Sequence, residues 1–146
     1  MSSINLDVSC INELNKNQKV AFLRAFVKMA HVDGHFDESE RDFILTIARD
    51  LNLSAESIKH IFDPSNEDDI LANLSEIKDR YIAMEIIKEL CLLAHSDDEL
   101  SNEETLFLGR AGQAMGVELE KIEEISAWVV DYIIWKEQGK IIFEEV

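Results

Sequence analysis

Ala30-His31-Val32-Asp33-Gly34-His35-Phe36-Asp37-Glu38-Ser39-Glu40 and Ala94-His95-Ser96-Asp97-Asp98-Glu99-Leu100-Ser101-Asn102-Glu103-Glu104 are the two stretches whose reading decides the fold. They lie 64 residues apart and align without a gap, Ala-His-x-Asp on Ala-His-x-Asp and Glu40 on Glu104. Sliding the whole chain by the same 64 residues lays Phe43 on Phe107, Ile58 on Ile122 and Ile61 on Ile125. Where identity is lost the character holds, as for Phe26 over Leu90 and Phe36 over Leu100. A match that covers a polar turn together with the apolar positions on both sides reads as an internal duplication. Each half is then helix, acidic turn, helix, short helix. The halves run over approximately 20–61 and 84–125 of a single domain spanning residues 1–146, and the repeat predicts that they are related by a pseudo-twofold.

Outward from the turns, apolar residues recur at helical spacing. Phe22, Leu23, Phe26, Val27 and Ala30 mark one stripe, and Phe43, Ile44, Ile47, Ala48 and Leu51 a second. Ser54 reads as the N-cap of a short helix carrying Ile58, Ile61 and Phe62, stopped by Asp63-Pro64. Ile70, Leu71, Leu74 and Ile77 fit another short helix. The stretch from about Arg80 to Leu93 is apolar on nearly all sides, which predicts a central, buried helix. Two more are expected around Glu103–Met115 and Leu119–Gln138, separated by Gly116, while Ile141-Ile142-Phe143 is apolar but too short to assign. With one proline, five glycines and little strand-like alternation, the expected class is all-α, a single-domain bundle of about seven helices.

The composition narrows the function. Thirty acids against 14 bases give a formal charge of −16, which opposes binding to nucleic-acid phosphates and to anionic membrane surfaces. A divalent cation or a basic protein partner suits that surface better, and solubility alone is the plain alternative. Cys10 and Cys91 belong to no CxxC pair, and Cys91, inside the apolar run Ile86–Ala94, reads as a small core residue. No signal-peptide pattern opens the chain and no apolar run nears the ~20 residues of a membrane helix, so the expectation is a cytoplasmic protein without membrane insertion.

The acidic turns carry whatever chemistry there is. Each resembles the second half of a calcium-binding loop, with Asp33-Gly34, Phe36 and Glu40 at the loop's fifth, sixth, eighth and twelfth places. The first half is missing, because Met29 and His31, or Leu93 and His95, stand where oxygen ligands are needed. Capping explains much of the rest. Ser101-x-x-Glu104 and Asp37-x-x-Glu40 are capping boxes, and Gly34 suits a left-handed helix end. Asp33 and Asp97 are left over: both fall at the C-terminal end of a helix, where the macrodipole disfavours a carboxylate. That suggests something cationic opposite them, a basic side chain or a bound metal, with a plainly solvated acid as the bland alternative. His31 and His95 sit two residues before those aspartates, off the same helical face, which is poor chelating geometry.

A helix ending in Ala-x-x-Asp-Gly, followed by an apolar residue and a Glu that opens the next helix, present twice, resembles the tellurite-resistance TerB-like proteins. Related domains occur in membrane-anchored J-domain co-chaperones of the DjlA type. The resemblance covers roughly Val20 to Tyr132 and implies an all-helical bundle whose two acidic turns meet in a divalent-metal site. Carried over residue by residue, that site would hold calcium or magnesium through Asp33, Glu40, Asp97 and Glu104. Asp98 replaces the family's second glycine, a departure that adds a carboxylate and tolerates the left-handed conformation better than most residues. The resemblance also implies a stress-response or tellurite-resistance role and no catalytic activity.

Enzyme motifs are missing: no Gly-rich phosphate loop, GxSxG or HExxH occurs. The alternative to a metal module is a protein–protein interaction scaffold or homodimer without metal. Its sequence basis is Trp128, Tyr132 and Trp135 on one face of the last helix, followed by the apolar tail. Such stripes usually belong to cores, so the expectation is that this face packs on its own bundle and that a homodimer is not favoured.

Overall fold

The structure, a computed structural model, describes residues 12–32, 38–63, 66–94 and 102–144. Seven helices and no strand occur among them: α1 (Lys16–Val32), α2 (Glu38–Asp50), α3 (Ala55–Ile61), α4 (Glu67–Leu74), α5 (Arg80–Ala94), α6 (Asn102–Ala114) and α7 (Leu119–Phe143). The all-α bundle expected from the sequence is the one found.

The duplication is visible in the helix boundaries. Shifting the first residues of α1, α2 and α3 by 64 gives 80, 102 and 119, the first residues of α5, α6 and α7. The signals that start and stop the helices repeat as well. Asn15 caps α1 by accepting from the Gln18 amide at 2.8 Å, and the Gln18 side chain accepts from the Asn15 amide at 3.0 Å, a complete capping box. Its counterpart Asp79 caps α5, accepting from the amides of Tyr81 and Ile82. After α2 the chain turns at Asn52 with φ 59°, and after α6 at Gly116 with φ 79°. Both are left-handed positions, which asparagine and glycine adopt most readily.

Burial follows the same repeat. α1 packs against α2, α3, α4, α5 and α6, and α5 against α1, α6 and α7, so the two counterpart helices form the centre. The sequence marked only a stripe on α1, yet Val20 through Val27 are buried without a break. Ala21 and Ala25 supply the second buried face, because small side chains let α1 be surrounded by neighbours. α4 has no counterpart and bridges the halves by packing on α1 and α6. In α6, Gly112 brings α7 close: a Cβ there would lie 2.3 Å from Ile122 Cδ1.

α7 departs from expectation. It runs 25 residues, five beyond the expected Gln138, and absorbs Ile141-Ile142-Phe143 into its last turn. Its buried residues are Ile122 and Val129, with Ile125 and Ile133 partly buried against the core. From Ile134 onward it contributes nothing to the core.

Candidate functional site

Of the four acids expected to bind metal, Asp33 and Asp97 lie outside the described residues, as do Asp37 and Ser101 of the capping boxes and Gly34, His35, His95 and Asp98. Glu40 and Glu104 are described, at the third positions of α2 and α6, where a capping box needs them. Both are buried, at 5% and 3% exposure, and both have interaction partners. Among the described residues no group of three or more His, Cys, Asp or Glu could hold a metal. Two buried carboxylates alone fall short of the roughly six to eight oxygens of a calcium site. His31 ends α1 in an exposed position.

Charged side chains inside the bundle were not foreseen from the sequence. Arg24 is the largest fully buried side chain, at 2% exposure. Its Nη2 donates to the Asp63 carbonyl oxygen at 3.4 Å, just past α3, while Nε and Nη1 have no hydrogen-bond partner. The guanidinium thus faces the carbonyl end of α3, a favourable place for a cation. The signal in the sequence is a single arginine inside Val20-Ala21-Phe22-Leu23-Arg24-Ala25-Phe26-Val27, where every side of the helix is otherwise apolar.

The counterpart of Arg24 is Lys88, and its surroundings differ. Lys88 Nζ lies 2.6 Å from Glu85 and 3.3 Å from Glu89, itself 1% exposed. Burial works against the ammonium, but the two glutamates together hold its pKa above the ordinary lysine range. The residues matching Glu85 and Glu89 in the first half are Ala21 and Ala25. Cys91, on the same helix, is wholly buried, and desolvation pushes its thiol up to about 12 despite a hydrogen bond to Ser126. It is an inert core residue.

The aromatic face of α7 is where the structure corrects the sequence reading. Trp128 is 56% exposed and Trp135 71%, so the stripe does not pack on its own bundle. The rings of Trp128 and Tyr132 stack on each other at 5.7 Å with 9° between planes. Periodicity could not settle this, because α7 carries two apolar stripes. The stripe through Ile122, Ile125, Val129 and Ile133 took the core, and the aromatic one was left outside. Ile134, Ile141, Ile142 and Phe143 are exposed beside it, Phe143 at 85%.

Between α5 and α7 runs a groove of about 380 Å³, lined among others by Tyr81, Met84, Lys88, Lys121, Ile125 and Trp128. Glu85 and Glu124 share its lining with the two lysines, and Trp128 belongs both to the groove and to the aromatic stripe. No helix among the described residues is long and apolar enough to cross a membrane. No protein-family model, no curated protein and no solved structure matches the chain.

Proposed function

We propose that this chain is a non-enzymatic binding module whose working surface is the exposed face of α7. One observation carries the reading: Trp128, Ile134, Trp135, Ile141, Ile142 and Phe143 all stand exposed along one helix. Single exposed apolar residues are ordinary on protein surfaces, whereas so many large ones gathered on the end of one helix mark a docking face. Aromatic anchors of this kind dominate the binding energy of interfaces. The test is a photo-crosslinking residue placed at position 135, with position 103 of α6, also exposed, as the control. Protein adducts at 135 and none at 103 are expected; equal silence at both positions would remove the reading.

A second reading keeps the TerB-like resemblance, with a divalent cation such as calcium or magnesium at the acidic turns. Its basis is the resemblance itself, with Glu40 and Glu104 buried at matched positions in a chain of charge −16. Such a module raises its melting temperature when millimolar calcium is added, and the D33N/D97N variant loses that increment. No thermal shift with calcium, magnesium or manganese leaves the turns as caps only. A stress-response role belongs to this reading and stands or falls with it.

A further inference from the structure

We infer that the occupant of the α7 face is a second copy of this chain, paired in parallel along Trp128, Tyr132, Trp135, Gly139 and Ile142. The inference rests on the proposal that α7 is a docking surface and names its partner. These five positions follow the alternating four- and three-residue spacing of a two-helix seam. Gly139 is the small one among them, and a Cβ added there would touch nothing within 4 Å. In an in-register parallel pair Gly139 lies opposite Gly139 of the other copy, a layer that lets the two backbones approach closely.

Charge selects a copy over other occupants. The chain as a whole carries −16, yet Ala127 through Phe143 contain only Asp131, Glu137, Lys136 and Lys140, two acids and two bases. A face built for a basic protein or for a cationic surface would keep the acidity of the rest of the molecule. This one is neutral, so the seam itself adds no like-charge repulsion between two copies. The charges are also placed in register. With Trp128, Trp135 and Ile142 at one seam position and Tyr132 and Gly139 at the other, Asp131 and Lys136 fall on the two flanks, five residues apart. In a parallel pair, Asp131 of each copy faces Lys136 of the other, which gives two opposed pairs; antiparallel pairing along the same seam opposes neither.

The area suffices. With a buried aromatic side chain worth ~150–250 Å², the exposed parts of Trp128, Trp135, Ile142 and Phe143 come to on the order of 600 Å² per copy. A standard interface removes about 800 Å² per partner, part of it a polar rim, so the seam supplies the apolar centre of one. Tyr81 and Met84, at the groove beside Trp128, extend that centre onto α5.

Sedimentation of the purified full chain over a concentration series tests the inference, because a dimer runs at twice the 16.7 kDa of the chain. The wild type is expected to be dimeric and Trp135→Glu monomeric, with its melting curve free of the concentration dependence seen in the wild type. Asp131→Lys is expected to weaken the dimer about tenfold or more, and the exchange D131K/K136D to restore it. A dimer that survives Trp135→Glu uses another face and overturns the inference. An exchange variant as weak as Asp131→Lys overturns the parallel register. A wild type monomeric at every concentration overturns the second copy, and the crosslinks at position 135 then separate the cases. Adducts to a different protein, or binding to neutral phosphatidylcholine vesicles that Trp135→Glu abolishes, leave α7 a docking face with another occupant; no adducts and no vesicle binding remove that reading too.

Discussion

The two halves start alike and end differently. α1, α2 and α3 have the phase of α5, α6 and α7, with caps at Asn15 and Asp79 and left-handed turns at Asn52 and Gly116. Then α3 stops at Ile61, while α7 runs on to Phe143. The first half ends within the bundle; the second carries its last helix on past the core, with Ile134 through Phe143 outside it. The repeat supplies most of the core, joined by Ile70, Leu74 and Ile77 around α4 and by Val129 of α7, while the exposed apolar residues of α7 from Trp128 onward lie beyond the repeat. The same asymmetry runs inside the bundle: Lys88 has two carboxylates beside it, and Arg24, its counterpart, has alanines in their places.

Swapping buried Arg24 and half-buried Lys88 for methionine separates the halves most sharply. Lys88→Met leaves Glu89 buried without its lysine and is expected to destabilise the fold by about 2–4 kcal/mol. Arg24→Met removes a guanidinium with two unpartnered nitrogens and fills the same space with apolar atoms; it is expected to be neutral or stabilising by about 1 kcal/mol. Urea unfolding of both variants checks the pair. Equal losses would mean that Arg24 and Lys88 do the same work and that the comparison fails.

Within α7 the contrast lies between its two apolar stripes. Val129, fully buried, is expected to cost about 1–3 kcal/mol on truncation to alanine. Trp135 is far larger, yet at 71% exposure its truncation is expected to change the stability of the monomer by less than about 0.5 kcal/mol. Thermal melts at a dilution where the chain is monomeric decide it.

A smaller effect is expected at Gly112, which matches Ala48 of the first half. Ala48 sits buried in α2, but at Gly112 a methyl group would meet Ile122 at 2.3 Å and 2.9 Å. Gly112→Ala therefore trades a helix-propensity gain of ~1 kcal/mol against overpacking of ~1–3 kcal/mol, a net loss of roughly 1 kcal/mol. Ala48→Gly loses a similar amount through propensity alone. If Gly112→Ala stabilises the protein, α6 and α7 are not in the close contact that distinguishes the second half.

The smallest effect is electrostatic. Ser54 caps α3 with its own hydroxyl, whereas Glu118 makes no side-chain cap and instead holds Arg80 at 2.5 Å. The hydrogen bond from Arg80 keeps the Glu118 carboxyl below the usual glutamate range. A depressed carboxylate stabilises the fold above its ordinary pKa, and that contribution is lost as pH falls through the depressed value. Glu118→Gln is expected to lower the melting temperature slightly at pH 7 and by progressively less as pH falls through the depressed value; the pair is solvent-exposed, so high salt shrinks the difference.

Helix class, helix number and the 64-residue repeat were legible in the sequence, because periodicity, caps and left-handed turns are local properties of a few neighbouring residues. Cys91 was legible for the same reason, lying in a run apolar on nearly all sides. The candidate site was only half legible. Glu40 and Glu104 stood out through their spacing, and their burial could not be read from it. Arg24 was hidden because a one-sided stripe was assumed for α1, and only neighbours arriving from several directions show that no side of the helix is free. The choice between the two apolar stripes of α7 was the tertiary structure's alone. Both satisfy helical spacing, and which one faces the core depends on where α5 and α6 stand and on how closely Gly112 lets Ile122 approach. Sequence periodicity records that a helix has apolar faces; only the packing of distant segments determines which of them the molecule leaves exposed.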